Sequence, residues 1–216
     1  MHRKLITACM ALAAFMAFAV VPSISSASPE LTHPTGTTLK VGSKIDATNV
    51  GDTLMTDAGG GVLTRCSSAT MTGTVTSNTG TAIAADISTA TFSGTAAGGA
   101  CTGSFGSTTP TPKNLPWCIK STKTADQFEV RGGACSEASK PITFILDAPF
   151  GVECKYSRTS AILGTFATHP SDAVLTISKV EFPGESTPFP CPSTGYLDMS
   201  FTLETDTPTA EPIYIS

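Results

Sequence analysis

Charge is scarce in this chain. Only 14% of its 216 residues are charged, and 13 basic residues face 17 acidic ones. The basic residues are scattered, with no stripe and no interleaved aromatics, which excludes a nucleic-acid footprint. Aromatic side chains are few, with one Trp and three Tyr, a poor supply for a sugar platform. Strong helix formers are sparse, which argues against a helical domain. No Gly-x-Ser-x-Gly elbow occurs, so an α/β-hydrolase nucleophile is absent. No cysteine pair has Cys-x-x-Cys spacing, and His33 and His169 lie far from each other and from any cysteine cluster. That spacing excludes a zinc centre. Asp52 and Asp57 share one turn region and Glu204 sits near Asp206, but neither region has the Asp-x-Asp-x-Asp-Gly order that gathers oxygens around calcium. No catalytic, cofactor-binding or metal-binding residue is assigned on these grounds, and no cofactor is implied.

What the chain does have begins with a leader. His2-Arg3-Lys4 is basic, Leu5 to Val21 is almost wholly apolar, and small residues follow from Ser23 to Ser28. That order is a secretory signal peptide, because signal peptidase admits only small side chains at −3 and −1. Ser25 and Ala27 meet the requirement, so cleavage is expected after Ala27, with 1–27 as leader and 28–216 as one secreted domain. A retained anchor is the alternative, but the apolar run is shorter than the roughly 20 residues of a comfortable bilayer span. No second long apolar run exists, so no membrane span is expected after cleavage. Losing Arg3 and Lys4 leaves 11 basic against 17 acidic residues and a mature charge of −6.

Losing Cys9 leaves Cys66, Cys101, Cys118, Cys135, Cys154 and Cys191. An even count in an exported chain indicates disulfides. Connectivity is open from the sequence alone. Sequential pairing, Cys66–Cys101, Cys118–Cys135 and Cys154–Cys191, is favoured because each pair then brackets one hairpin-like unit.

Strand signals fill the rest. Asn114 to Cys135 is the organising stretch: an apolar run, a polar turn over Ser121–Gln127, and an alternating run from Phe128. It predicts a hairpin closed by Cys118 and Cys135, with Trp117 beside the staple. Ala69, Met71, Gly73 and Val75 alternate with four threonines, a strand with one buried face. Asp57-Ala58-Gly59-Gly60-Gly61 separates two extended runs as a hairpin turn, and lacks the helix and Lys of a phosphate loop. Further strands are expected over 83–87, 89–93, 141–146, 151–156, 161–167, 173–182 and 197–204. Gly94 to Pro112 reads as a long surface loop pinned by Cys101, and the Pro-rich run 183–192 as a rigid crossing. The expected fold is all-β, a disulfide-stapled antiparallel β-sandwich, with a β-barrel as alternative. The 28–216 domain is expected to contain two sub-halves meeting near 106–113.

Chemistry is thin. His169 lies in a turn near Asp172, which suits a solvated loop histidine better than a general base. Glu129, Glu153, Glu181 and Asp198 sit in strand-like segments and are the carboxylates a glycosidase would need to pair across a cleft. Trp117, Tyr156 and Tyr196 lie near cysteines, where ring packing on disulfides competes with a sugar platform.

Four features together resemble a group of uncharacterised secreted β-rich proteins of high-GC Gram-positive bacteria. They are the Ala-rich leader, Ile45-Asp46-Ala47-Thr48-Asn49-Val50-Gly51, Thr72-Gly73-Thr74-Val75-Thr76-Ser77-Asn78 and Pro116-Trp117-Cys118. The resemblance implies an extracellular β-rich fold and carries no activity to transfer. The expected function is therefore that of an exported, non-enzymatic structural or binding protein with an extracellular or cell-surface partner. One alternative is a secreted hydrolase of polysaccharide or peptide, built on His169 or a carboxylate pair. The other is a carbohydrate-binding module using exposed Trp117 and Tyr156.

Overall fold

The structure, a computed structural model, describes residues 30–80, 82–124, 126–168, 173–186, 189–206 and 209–215. The expected leader and His169 fall outside these residues. Threonine, valine and isoleucine suit a pleated, half-buried backbone, and the chain is built almost entirely of strands. The first eight are β1 (Leu31–Thr32), β2 (Lys44–Asn49), β3 (Thr53–Thr56), β4 (Val62–Cys66), β5 (Ser68–Thr79), β6 (Ala82–Ser93), β7 (Cys101–Gly103) and β8 (Gly106–Lys113). They cover the first half. Then come β9 (Trp117–Ser121), β10 (Gln127–Gly132), β11 (Ile142–Ala148), β12 (Val152–Arg158), β13 (Ile162–Thr168), β14 (Ala173–Ser186), β15 (Thr194–Thr205) and β16 (Tyr214–Ile215).

The fold is all-β, antiparallel and stapled by disulfides. Its ladder closes on itself, as in the barrel form of the expectation. Fourteen strands make one closed circuit, and an additional β14–β15 pairing pinches that circuit in two. Ring one runs β2, β5, β6, β9, β10, β13, β14, β15 and back to β2. Ring two runs β3, β4, β7, β8, β11, β12, β14, β15 and back to β3. Each ring has eight strands, and the long strands β14 and β15 belong to both.

A bulge between Ile177 and Val180 marks the place where β14 passes from one ring to the other. Lys179 has φ +48 there. Asp198 on β15 clips the bulge, its Oδ1 accepting from Ser178 Oγ at 3.0 Å and from the Lys179 amide at 2.9 Å.

The hairpins alternate between rings: β3–β4 in ring two, β5–β6 in ring one, β7–β8 in two, β9–β10 in one, β11–β12 in two. The chain therefore does not divide near 106–113. That stretch is β8, a strand of ring two, and the long surface loop expected over Gly94–Pro112 is corrected accordingly. Pro110 and Pro112 are tolerated because β7 begins opposite Thr108, so residues 109–113 of β8 are laddered only to β11 and have no β7 partner on the other side. Likewise β14 runs through Pro183 to Ser186, where a rigid crossing was expected.

All three cysteine pairs are bonded in the sequential order, and two of them reinforce thin seams. β4 meets β7 through one pair, Arg65 opposite Thr102, and Cys66–Cys101 is the adjacent cross-strand pair. β12 meets β14 through two pairs, and Cys154–Cys191 ties β12 to the loop that follows β14. Cys118–Cys135 closes the expected hairpin of β9 and β10.

Two glycines are required by close approach. A Cβ on Gly103 would meet Leu63 O at 2.0 Å, and one on Gly164 would meet Phe128 Cζ at 2.3 Å.

Candidate functional site

The residues singled out from the sequence are dispersed, and most serve the scaffold. Glu129 faces Lys120 across β9–β10, with Oε1 2.8 Å from Lys120 Nζ and Oε2 3.2 Å from Arg131 Nη2. The Lys120 hydrogen bond, helped by Arg131 and opposed by burial, holds its carboxyl below the usual range. Glu181 lends its carbonyl to Arg158 Nη1 at 2.8 Å. Asp198 clips the β14 bulge. His33 Nδ1 lies 3.1 Å from Glu211 Oε2. Asp52 lies 3.7 Å from Arg65 Nε, and Asp57 Oδ1 accepts the Gly59 and Gly61 amides to shape its turn. Asp46, passed over in the sequence, stands opposite Glu204, and burial followed by the charge of Asp206 pushes its carboxyl upward.

Trp117 and Tyr156 form no platform. Trp117 is buried and donates Nε1–H to the Lys113 carbonyl at 2.9 Å. Tyr156 is buried, and its hydroxyl donates to the Pro192 carbonyl at 3.1 Å. Burial, then the charge of Asp57, pushes that phenol up to about 12. Asp86, Cys118 and Cys135 bring three ligand-type atoms within 4.8 Å. Both sulfurs are in a disulfide, and Asp86 Oδ1 accepts the Cys135 amide at 2.7 Å. The group orients a staple.

Exposed aromatic surface lies elsewhere. β12 runs away from the turn 149–151, and β14 is antiparallel to it, so the loop from β14 to β15 returns to the same end of ring two. The turns after β3 and β7 lie there too, because β3 pairs with the start of β15 and Gly106 sits beside Pro149. At this end Phe150 and Phe189 are 103% and 98% exposed. Cys154–Cys191 anchors both loops from beneath, four residues after Phe150 and two after Phe189. Phe150 has φ +64, a conformation that costs a bulky residue about 1–2 kcal/mol. Asp147 and Glu153 stand directly opposite each other one step back from the turn, both exposed. Neither has a cationic partner among the described residues. The sequence reading missed Phe150 and Phe189. Their signal is an apolar residue isolated among turn formers, in Pro149-Phe150-Gly151 and Phe189-Pro190.

The two ring interiors differ. In ring two, Phe144 of β11 is in edge-to-face contact with Phe92 of β6, Trp117 of β9 and Phe182 of β14 at 5.9, 5.5 and 5.5 Å, so strands of ring one help to fill it. Ring one is lined by aliphatic side chains together with Trp117, Phe128, Phe166 and Phe201, and contains an entirely apolar cavity of ≈ 70 Å³. By the cost of engineered core cavities, that void forgoes about 1.7 kcal/mol of packing.

No family model, no curated protein and no solved structure matches the chain.

Proposed function

We propose that this is an exported, non-enzymatic binding protein, in which the double ring presents the loops around Phe150 and Phe189 to a cell-surface partner. The observation that carries the reading is the complete exposure of both phenylalanines at one end of a disulfide-anchored frame. Anchoring aromatics make strong interface contacts when the partner supplies pockets that dehydrate them. Asp147 and Glu153 flank the turn that carries Phe150, so the matching surface is apolar with a cationic rim. The engagement of Glu129, Asp198 and His33 in scaffold contacts supports a non-enzymatic role. Three disulfides suit an oxidising compartment. No helix among the described residues is long and apolar enough to cross a membrane.

The test is retention of labelled mature protein on washed producer cells. Wild type is retained, less so as salt rises, and Phe150→Ser/Phe189→Ser is released, while Leu163→Ser on the outer face of ring one behaves as wild type. Equal retention of the double variant, or no retention of wild type at low salt, removes the reading.

A further inference from the structure

We propose that the lumen of ring one is a binding site for a compact, uncharged, apolar molecule, separate from the loop end of ring two. An eight-stranded ring either fills with its own side chains or holds one small ligand. This protein contains both outcomes side by side. In ring two, Phe144 and Phe182 interlock with Phe92 and Trp117, which reach across from β6 and β9, and the void beside Phe92 and Phe144 is ≈ 10 Å³. Ring one places alanines at Ala47 and Ala85 where larger side chains would close the space, and keeps ≈ 70 Å³ open.

The lining sets the ligand class. Its exposed surface is wholly apolar, and the one hydroxyl in the wall, Ser121 Oγ, is occupied by the Ile83 amide at 3.0 Å. Such a cavity stays dry, since a water there would find no partners, and dry apolar cavities take up apolar molecules. A charged or hydrogen-bonding ligand would leave its polar groups unpaired. Met71 and Met199 both line the space, and unbranched thioether chains rearrange more easily than branched ones. The site therefore adapts to occupants larger than the void as it stands.

A lid covers it. β1 and β16 form a separate two-stranded sheet in which Leu31 and Ile215 lie opposite each other, and both line the cavity. The buried Asn78 moors this lid: its Oδ1 accepts the Leu31 amide, and its Nδ2 donates to the Leu31 and Leu39 carbonyls, all at 2.8 Å.

The experiment is a titration of the mature protein with xenon, benzene and n-hexane, followed by methionine methyl NMR and by melting temperature. The expected result is saturable movement of the Met71 and Met199 methyls, an unmoved Met55 methyl in ring two, and a raised melting temperature. Ala85→Leu fills the lumen and is expected to weaken binding by roughly tenfold or more. Ala47→Val is the milder filling variant if Ala85→Leu does not fold. Asn78→Ala is expected to speed ligand exchange. Absence of saturable shifts with all three probes, or undiminished binding in the filled variant that folds, overturns the site. Unchanged exchange in Asn78→Ala overturns the role of the lid.

Discussion

Phe150 shows most clearly how single residues depart from what stability alone would select. Its side chain packs on nothing and its backbone lies where Asn or Gly is at ease. Phe150→Asn is therefore expected to hold or raise stability, by up to about 1 kcal/mol in urea denaturation, while retention on cells falls. A clear loss of stability would mean that the ring has a packing role. Glu129 behaves in the opposite way. Its folded carboxyl sits below the ordinary value, so its stabilising contribution is fully present above the unfolded value and vanishes as pH falls through the folded one. Glu129→Gln is expected to cost roughly 1 kcal/mol at neutral pH. The gap to wild type should close on acidification below the carboxylate range, and a pH-independent gap would point to packing.

At the scale of elements, the seams between hairpins are the weak places. β4 and β7 share one ladder pair, so Cys66–Cys101 does work there that hydrogen bonds do not. Replacing both cysteines with serine is expected to lower stability by roughly 3 kcal/mol. Native-state hydrogen exchange should show β7 and β8 losing protection first, and equal loss throughout both rings would contradict that placement. The shared strands are the other critical elements. Asp198→Ala frees the β14 bulge and is expected to cost roughly 1–2 kcal/mol, because a carboxylate accepting two donors is lost at the point where the strand changes rings.

At the scale of the molecule, shared strands couple the two rings. Neither ring can open β14 or β15 without breaking the other, so calorimetry of wild type and of Asp198→Ala is expected to show one transition each. The variant's should lie about 3–6 °C lower. Two resolved transitions would mean that the rings fold separately. Interleaving also places partners far apart in the chain: Thr202 Oγ1 donates to the Thr48 carbonyl across 154 residues. Pairings of that span are slow to form.

Much of this architecture was legible locally. The period-two run of β5, the glycine turn after β3 and the stapled β9–β10 hairpin each follow from neighbouring residues, because alternation and turn chemistry are short-range properties. The threonine face of β5 was visible as polar. Its pairing into Thr70–Thr91 and Thr72–Thr89 hydroxyl contacts at 2.6 Å was not, since that depends on register with β6. β8 is not legible locally because its prolines and glycines speak against a strand until β11 and the start of β7 define where an amide is dispensable. Phe150 and Phe189 escaped notice because exposure belongs to the assembled surface. By itself, the sequence determined the all-β class, the turns and a cysteine set open to sequential pairing, all consequences of composition and spacing. Only the tertiary structure decided that hairpins alternate between two rings, that one ring fills while the other stays hollow, and that two phenylalanines share one end. Those outcomes depend on which distant strands exchange hydrogen bonds, and no local stretch of chain carries that information.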